Sequence, residues 1–166
     1  MNLNKSRDVF DPGKVQETIH IVGCGSVGST VAELLARYGL RKFILWDMDT
    51  VESKNIVNQI YTERDVGRPK VEALRDILSD INPAIKDSCL LRPDGWSGHN
   101  LSGYVFLAVD NIEVRKEIVK RNQYNPMVKA MFDVRTALYD AQLYAADWKK
   151  AADKKNFLAT MDFTHD

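Results

Sequence analysis

The sequence predicts a Rossmann-like α/β domain, a mainly parallel sheet with helices on both faces. Three observations carry this. A β-rich run, Thr18 to Val22, leads straight into the glycine turn Gly23-Cys24-Gly25-Ser26-Val27-Gly28, and a helical pattern follows at once. Strand-like and helix-like segments then alternate along the chain, the arrangement of a parallel sheet covered on both sides. One later run, Tyr104 to Val109, is almost wholly apolar, as a strand buried on both faces must be.

In chain order, residues 1–17 are polar and read as a loose arm or short helix. After the Thr18–Val22 strand, Ser26 to Tyr38 forms a helix, with Val27, Val31, Leu34, Leu35 and Tyr38 on one face and Gly39 as its stop. Arg41 to Trp46 is the second strand, ending at Asp47. Thr50 to Arg68 is polar and irregular. Pro69 suits a first helical turn, and Val71, Leu74, Ile77, Leu78 and Ile81 give the stripe of a helix that Asn82-Pro83 ends. Ile85 to Leu91 is a third strand candidate, and Pro93 to Ser102 a turn-rich loop. Beyond the apolar Tyr104–Val109 strand, Asp110 precedes a helix to about Arg121. Met127 to Val134 and Ala141 to Ala146 are further strands, and Lys149 to Asp166 is a mixed polar tail.

A length of 166 residues suits one domain, 1–166, able to bury a core without metal or disulfide staples. Lys+Arg and Asp+Glu are equal at 23 each, which gives no electrostatic reason to expect nucleic acid or membrane as a partner. The two cysteines, Cys24 and Cys89, form no Cys-x-x-Cys pair, so no zinc is expected. The polar start lacks the apolar core of a signal peptide, and a cytoplasmic location is the expectation.

The glycine turn has the chemistry of a phosphate cradle. Gly23 permits the tight turn, Gly25 lets backbone approach phosphate, and Gly28 lets helix and strand pack closely. Ser26 opens a helix whose free N–H groups and positive dipole end favour an anion. Asp47 lies at the end of the second strand, where a carboxylate accepts hydrogen bonds from ribose hydroxyls. Up to this point an NAD enzyme reads the same way.

The following residues are more specific. Asp47-Met48-Asp49-Thr50-Val51, then Asn55 and Gln59, then Gly67-Arg68-Pro69-Lys70-Val71-Glu72-Ala73-Leu74, and finally Asp110-Asn111 with Arg115 resemble the ThiF/MoeB/HesA (E1-like) adenylating enzymes. The match runs in order from about residue 7 to 121. Asn58 departs from it, standing where the family has arginine, and the family's C-terminal part is not apparent.

The resemblance implies an ATP-dependent adenylyltransferase acting on the C-terminal carboxylate of a small ubiquitin-like or sulfur-carrier protein or peptide. It implies ATP as the nucleotide, held by Gly23, Gly25, Ser26, Gly28, Asp47, Asp49, Asn55, Gln59 and Lys70. Lys70 is assigned to the phosphates and Asp110 to Mg²⁺. One or two carboxylates with phosphate oxygens and water make a normal Mg²⁺ shell. Asp110 is equally well placed to cap the following helix. Arg7, within Ser6-Arg7-Asp8-Val9-Phe10, resembles an arm arginine that reaches a partner subunit's nucleotide, which implies a homodimer. Arg115 either helps hold the loop at Asp110 or is a solvated helix arginine, the plainer reading, and an ion pair is the plainer reading of Asp133 and Arg135.

His20 reads as a packed strand residue, while His99 and His165 are given no role. Cys24 reads as an inert part of the turn and Cys89 as a strand residue, so no carrier thioester is expected on this chain. Two other functions remain compatible with the sequence: a non-catalytic nucleotide-binding member of the family, and an NAD-dependent oxidoreductase.

Overall fold

The computed structural model describes residues 10–137 and 139–162. Its strands are β1 (Ile19–Val22), β2 (Phe43–Trp46), β3 (Leu90–Arg92), β4 (Gly103–Leu107), β5 (Val128–Thr136) and β6 (Ala141–Asp147). Its helices are α1 (Ser26–Arg37), α2 (Lys70–Ile81), α3 (Ile85–Ser88), α4 (Ile112–Asn122) and α5 (Ala151–Ala159). The strands form one sheet in the order β3-β2-β1-β4-β5-β6. β1 to β5 pair in parallel, and β6 returns antiparallel along β5. This is the Rossmann-like architecture that the alternating pattern predicts.

The chain moves outward from β1 to β3, then crosses to the other side of β1 with β4. Strand order therefore reverses between β1 and β4. In open α/β sheets the crevice at the carboxyl ends of such a pair is where ligands bind. Two apolar clusters cover the two faces. One packs α1 and α2 on β1 and β2 through Ala32, Ala36, Val71, Leu74 and Leu78. The other packs α4 and α5 on β4 and β5 through Ile118, Val119, Val105, Met131 and Phe157.

Several local expectations differ. The inner face of α1 is Gly28, Ser29, Ala32 and Ala36, while Leu34 and Tyr38 are about half exposed. The reason is steric: a Cβ on Gly28 would overlap the Gly23 carbonyl oxygen. A helix this close to the turn and sheet accepts only small side chains inward, so the helical face turns away from the bulkier residues. Tyr38 instead meets Phe10 edge-on at 5.8 Å.

Ile85 to Ser88 is a helical turn rather than the start of a strand, and only Leu90–Arg92 pairs with β2. Cys89 lies between the two as the C-cap of α3, where its N–H donates to the Ile85 carbonyl at 2.9 Å. The tail expected from Lys149 contains α5, pinned by Phe157 in a T-shaped contact with Trp148. Pro69 is the N-cap of α2, one residue before the helix begins. The polar 50–68 stretch contains two short 3₁₀ turns, Ser53–Val57 and Glu63–Asp65, each closed by a capping box. Among the described residues no helix is long and apolar enough to cross a membrane.

Candidate functional site

The site is built at the carboxyl ends of β1, β2 and β4. Gly23 leaves β1 with φ +95°, a left-handed conformation that a side chain would strain. A Cβ there would lie 2.7 Å from the Ala108 carbonyl group. Gly23 is therefore required by the fold itself, because the end of β4 packs against its back. Gly25 differs: a Cβ on it would meet no atom of the described residues within 4 Å. It is the N-cap of α1, and no side chain caps that helix start. Ser26 beside it is exposed. The turn thus presents open backbone at the positive end of a helix, at the crevice between β1 and β4.

Two side chains hold the turn. Asp47 Oδ2 accepts from the Cys24 N–H at 2.6 Å, and its Oδ1 accepts from the Asp49 N–H at 2.9 Å. Burial pushes the Asp47 carboxyl above its ordinary range, and the N–H bonds from Asp49 and Cys24 oppose that rise. On the other side, the buried Tyr61 hydroxyl donates to the Cys24 carbonyl at 2.7 Å. Desolvation raises the Tyr61 phenol, so it stays a donor. No motif spacing marks Tyr61 in the sequence. Its only sign is an aromatic residue in an otherwise polar stretch.

Lys70 begins α2, and its side chain is only 8% exposed although it carries a charge. Its ammonium donates to Asp49 Oδ2 at 2.7 Å, while its backbone N–H donates to the Asp49 carbonyl at 2.9 Å. Asp49 is 60% exposed, so one face of this pair opens to solvent. Asn55 is buried, and its Oδ1 accepts from the Glu52 N–H, which gives it a role in the local turn. Gln59 has a buried Oε1 with no hydrogen-bond partner among the described residues. Asn58, at the family's arginine position, is exposed.

Asp110 follows β4 and is exposed. It does not cap α4: Asn111 Oδ1 accepts from the Glu113 and Val114 N–H groups at 2.9 and 3.3 Å. The neighbouring asparagine reaches the helix start, which leaves the aspartate unused by the helix. Among the described residues no three His, Cys, Asp or Glu side chains gather as metal ligands. A lone exposed carboxylate suits Mg²⁺ arriving with a nucleotide, because phosphate oxygens and water complete that shell.

Arg115 is not a solvated helix arginine. It is 6% exposed. Its Nε donates to the Val109 carbonyl at 2.6 Å, and its Nη1 to the Leu107 and Val134 carbonyls at 3.3 and 2.8 Å. It also pairs with Asp133, which is fully buried and which Arg135 Nε reaches at 2.7 Å. The expected Asp133–Arg135 ion pair is thus part of a larger cluster. Arg7 lies outside the described residues.

Neither cysteine presents a nucleophile. Cys24 is fully buried, and burial raises its thiol well above the ordinary value. Burial pushes the Cys89 thiol up to about 12. Neither is a thiolate at neutral pH. His20 is packed, as expected. Its Nδ1 accepts from Trp46 Nε1 at 3.0 Å, and its Nε2 faces the Ser102 N–H at 3.3 Å.

Fold and site together define a doubly wound domain of Rossmann type, with an open glycine turn at the switch point and a lysine–aspartate pair beside it. The model of the ThiF family matches residues 15–157, and the chain belongs to that family. Similar curated proteins are ubiquitin-like modifier-activating enzymes 5. That of Caenorhabditis briggsae is 46% identical over 87 residues, covering 52% of this chain and 20% of that protein. That of Dictyostelium discoideum is 28% identical over 151 residues, covering 86% of this chain and 36% of its own length. This chain therefore spans about a third or less of these relatives. Among solved structures, the E. coli tRNA N6-threonylcarbamoyladenosine dehydratase TcdA in complex with ATP has a TM-score of 0.68 at 25% identity, covering 78% of this chain and 56% of that one. PaaA has a TM-score of 0.70 at 20% identity, over 84% of this chain and 45% of its own, and shares the fold.

Proposed function

We propose that this chain is the nucleotide-binding part of an ATP-dependent adenylating enzyme, one that activates the C-terminal carboxylate of a ubiquitin-like or sulfur-carrier protein or peptide. The observation that carries this reading is the Lys70–Asp49 pair beside the uncapped, open start of α1. A dinucleotide dehydrogenase needs the turn and Asp47 but has no use for a buried lysine there. The similarity to an ATP-bound structure supports the same reading.

The chemistry asks for positioning rather than covalent catalysis. A carboxylate oxygen forms a bond to the α-phosphorus of ATP, the bond to the bridging oxygen breaks, and pyrophosphate leaves. The protein's task is to align the reactants and neutralise the charge that develops. The Gly25 and Ser26 backbone is assigned to the phosphates, with the α1 dipole behind it. The unoccupied faces of the Asp47 carboxylate are assigned to the ribose hydroxyls. Gln59, with its orphan acceptor, and Asn55 line the nucleotide. Lys70 exchanges Asp49 for phosphate, one anionic partner for another, which needs no new desolvation of the ammonium. Asp110 would hold Mg²⁺, which when bound offsets the charge of the β- and γ-phosphates. Arg7 from the partner of a homodimer supplies the positive charge that Asn58 lacks.

The acyl group is not passed to Cys24 or Cys89, because both thiols are buried and protonated. The product of this chain's own residues is the acyl-adenylate. The test compares ATP–Mg²⁺ with NAD in thermal unfolding. A ligand at 100 times its Kd stabilises by about 2.7 kcal/mol. The expected result is a larger rise in Tm with ATP–Mg²⁺, reduced toward the AMP value in Asp110→Asn. A larger rise with NAD at matched saturation would overturn the adenylation reading.

A further inference from the structure

Arg115 donates to three backbone carbonyls and so joins two segments, the end of β4 and β5. Two of its contacts, the Leu107 and Val109 carbonyls, bracket Ala108 at the end of β4. The third is the Val134 carbonyl on β5, next to its carboxylate partner Asp133. Ala108 is itself the residue against which Gly23 packs, and its N–H donates to the Val22 carbonyl at 2.8 Å. Asp110 is the residue after Val109. A single buried guanidinium thus holds the segment that backs the glycine turn and presents Asp110.

The cluster continues away from the site. Arg135 takes the second oxygen of Asp133, and donates to the Thr160 carbonyl at 2.9 Å and the Thr160 hydroxyl at 3.1 Å, at the C-terminus of α5. Its guanidinium lies 4.8 Å from the centre of the Tyr144 ring. Packing alone does not ask for this arrangement. Buried charges are costly unless paired and fully hydrogen-bonded, and an apolar side chain fills the same space at lower cost. What a guanidinium adds is fork geometry: several N–H donors in one plane, fixing several acceptors relative to one another.

We propose that Arg115, held by Asp133, is a positioning residue for the nucleotide site: it sets the Leu107–Asp110 segment, and through it the Asp110 carboxylate and the back of the Gly23 turn. The assignment to Asp110 rests on the adenylation reading, whereas the setting of the backbone segment does not.

The test uses Arg115→Lys, which keeps a positive charge but loses the planar fork. A second variant, Asp133→Asn, keeps the acceptor shape and removes the charge. Two readouts separate the claims. Hydrogen exchange follows the Ala108 amide against that of Val105, in the middle of β4. Fluorescent ATP binding follows the Mg²⁺ concentration needed for half-saturation, with AMP as the metal-independent control. In Arg115→Lys the Ala108 amide is expected to exchange at least tenfold faster, with Val105 within twofold. The Mg²⁺ midpoint is expected to rise about tenfold with AMP affinity unchanged. Asp133→Asn should shift both in the same direction and by less. Unchanged Ala108 exchange, or equal loss of protection at Ala108 and Val105, overturns the positioning role. If the unmodified chain shows no Mg²⁺-dependent ATP binding, the adenylation reading fails, and the exchange comparison still decides whether Arg115 sets the segment.

Discussion

His20 makes the stability of this fold depend on pH, with a sign that the structure determines. The imidazole is 2% exposed on β1. Both ring nitrogens face N–H donors, Trp46 Nε1 at 3.0 Å and the Ser102 amide at 3.3 Å. A neutral ring can accept only one of these, and the shorter Trp46 bond is the one we retain. A protonated ring can accept neither. Burial, with the nearby Arg92 charge adding to it, lowers the His20 pKa from 6.5 to about 4. Between those values the unfolded chain binds the proton that the folded chain refuses. The stabilisation is therefore complete above pH 6.5 and disappears as pH falls toward 4. A shift of this size corresponds to about 3 kcal/mol in full, most of it lost between pH 7.5 and 4.5. For a chain of this length that is a fall in Tm of about 5–10 °C. The assay is urea unfolding at the two pH values, compared with His20→Gln, which keeps an acceptor but does not titrate. Asp47 contributes with the opposite sign, because its raised carboxyl pKa gives stability that is lost as pH rises. It is common to both proteins and cancels in the difference. Equal pH dependence in the two proteins would refute the reasoning.

Three further outcomes follow from the site. Lys70→Met should leave stability within about 1 kcal/mol, since its partner Asp49 is 60% exposed and stays solvated, while weakening ATP roughly 10- to 100-fold for one lost charge-assisted bond, measured by calorimetry. Gly28→Ala forces a Cβ onto the Gly23 carbonyl, so it should destabilise by about 1–3 kcal/mol or more and reduce nucleotide binding, seen in urea unfolding and ATP titration. Arg7→Ala should weaken ATP more than adenosine in a protein that sediments as a dimer. A monomer that binds ATP equally well without Arg7 would exclude a partner's arginine.

Much of this molecule can be read from its sequence because the relevant constraints are local. The glycine turn between a β-rich run and a helical stripe specifies strand, turn and helix within a few residues, and Asp47 at the end of the next strand follows from the same unit. The strand Gly103–Leu107 announces itself by its apolar composition, since one of its faces is buried and the other half-buried. Lys70 and Asp110 are marked by their motifs, and in the structure Lys70 begins α2, paired with Asp49, while Asp110 follows β4 and is exposed. Other features were decided only by the assembled fold. The inward face of α1 depends on how closely Gly28 lets the helix approach, a distance that no helical period encodes. The capping of α4 by Asn111 rather than Asp110 depends on which of two adjacent side chains points back at the helix. The Arg115–Asp133–Arg135 cluster joins residues 18 and 20 positions apart, on a helix and a strand that become neighbours only when β5 pairs with β4. Sequence patterns report the preferences of neighbours along the chain. Burial and charge pairing are properties of neighbours in space, and these appear only once the sheet has brought distant segments together.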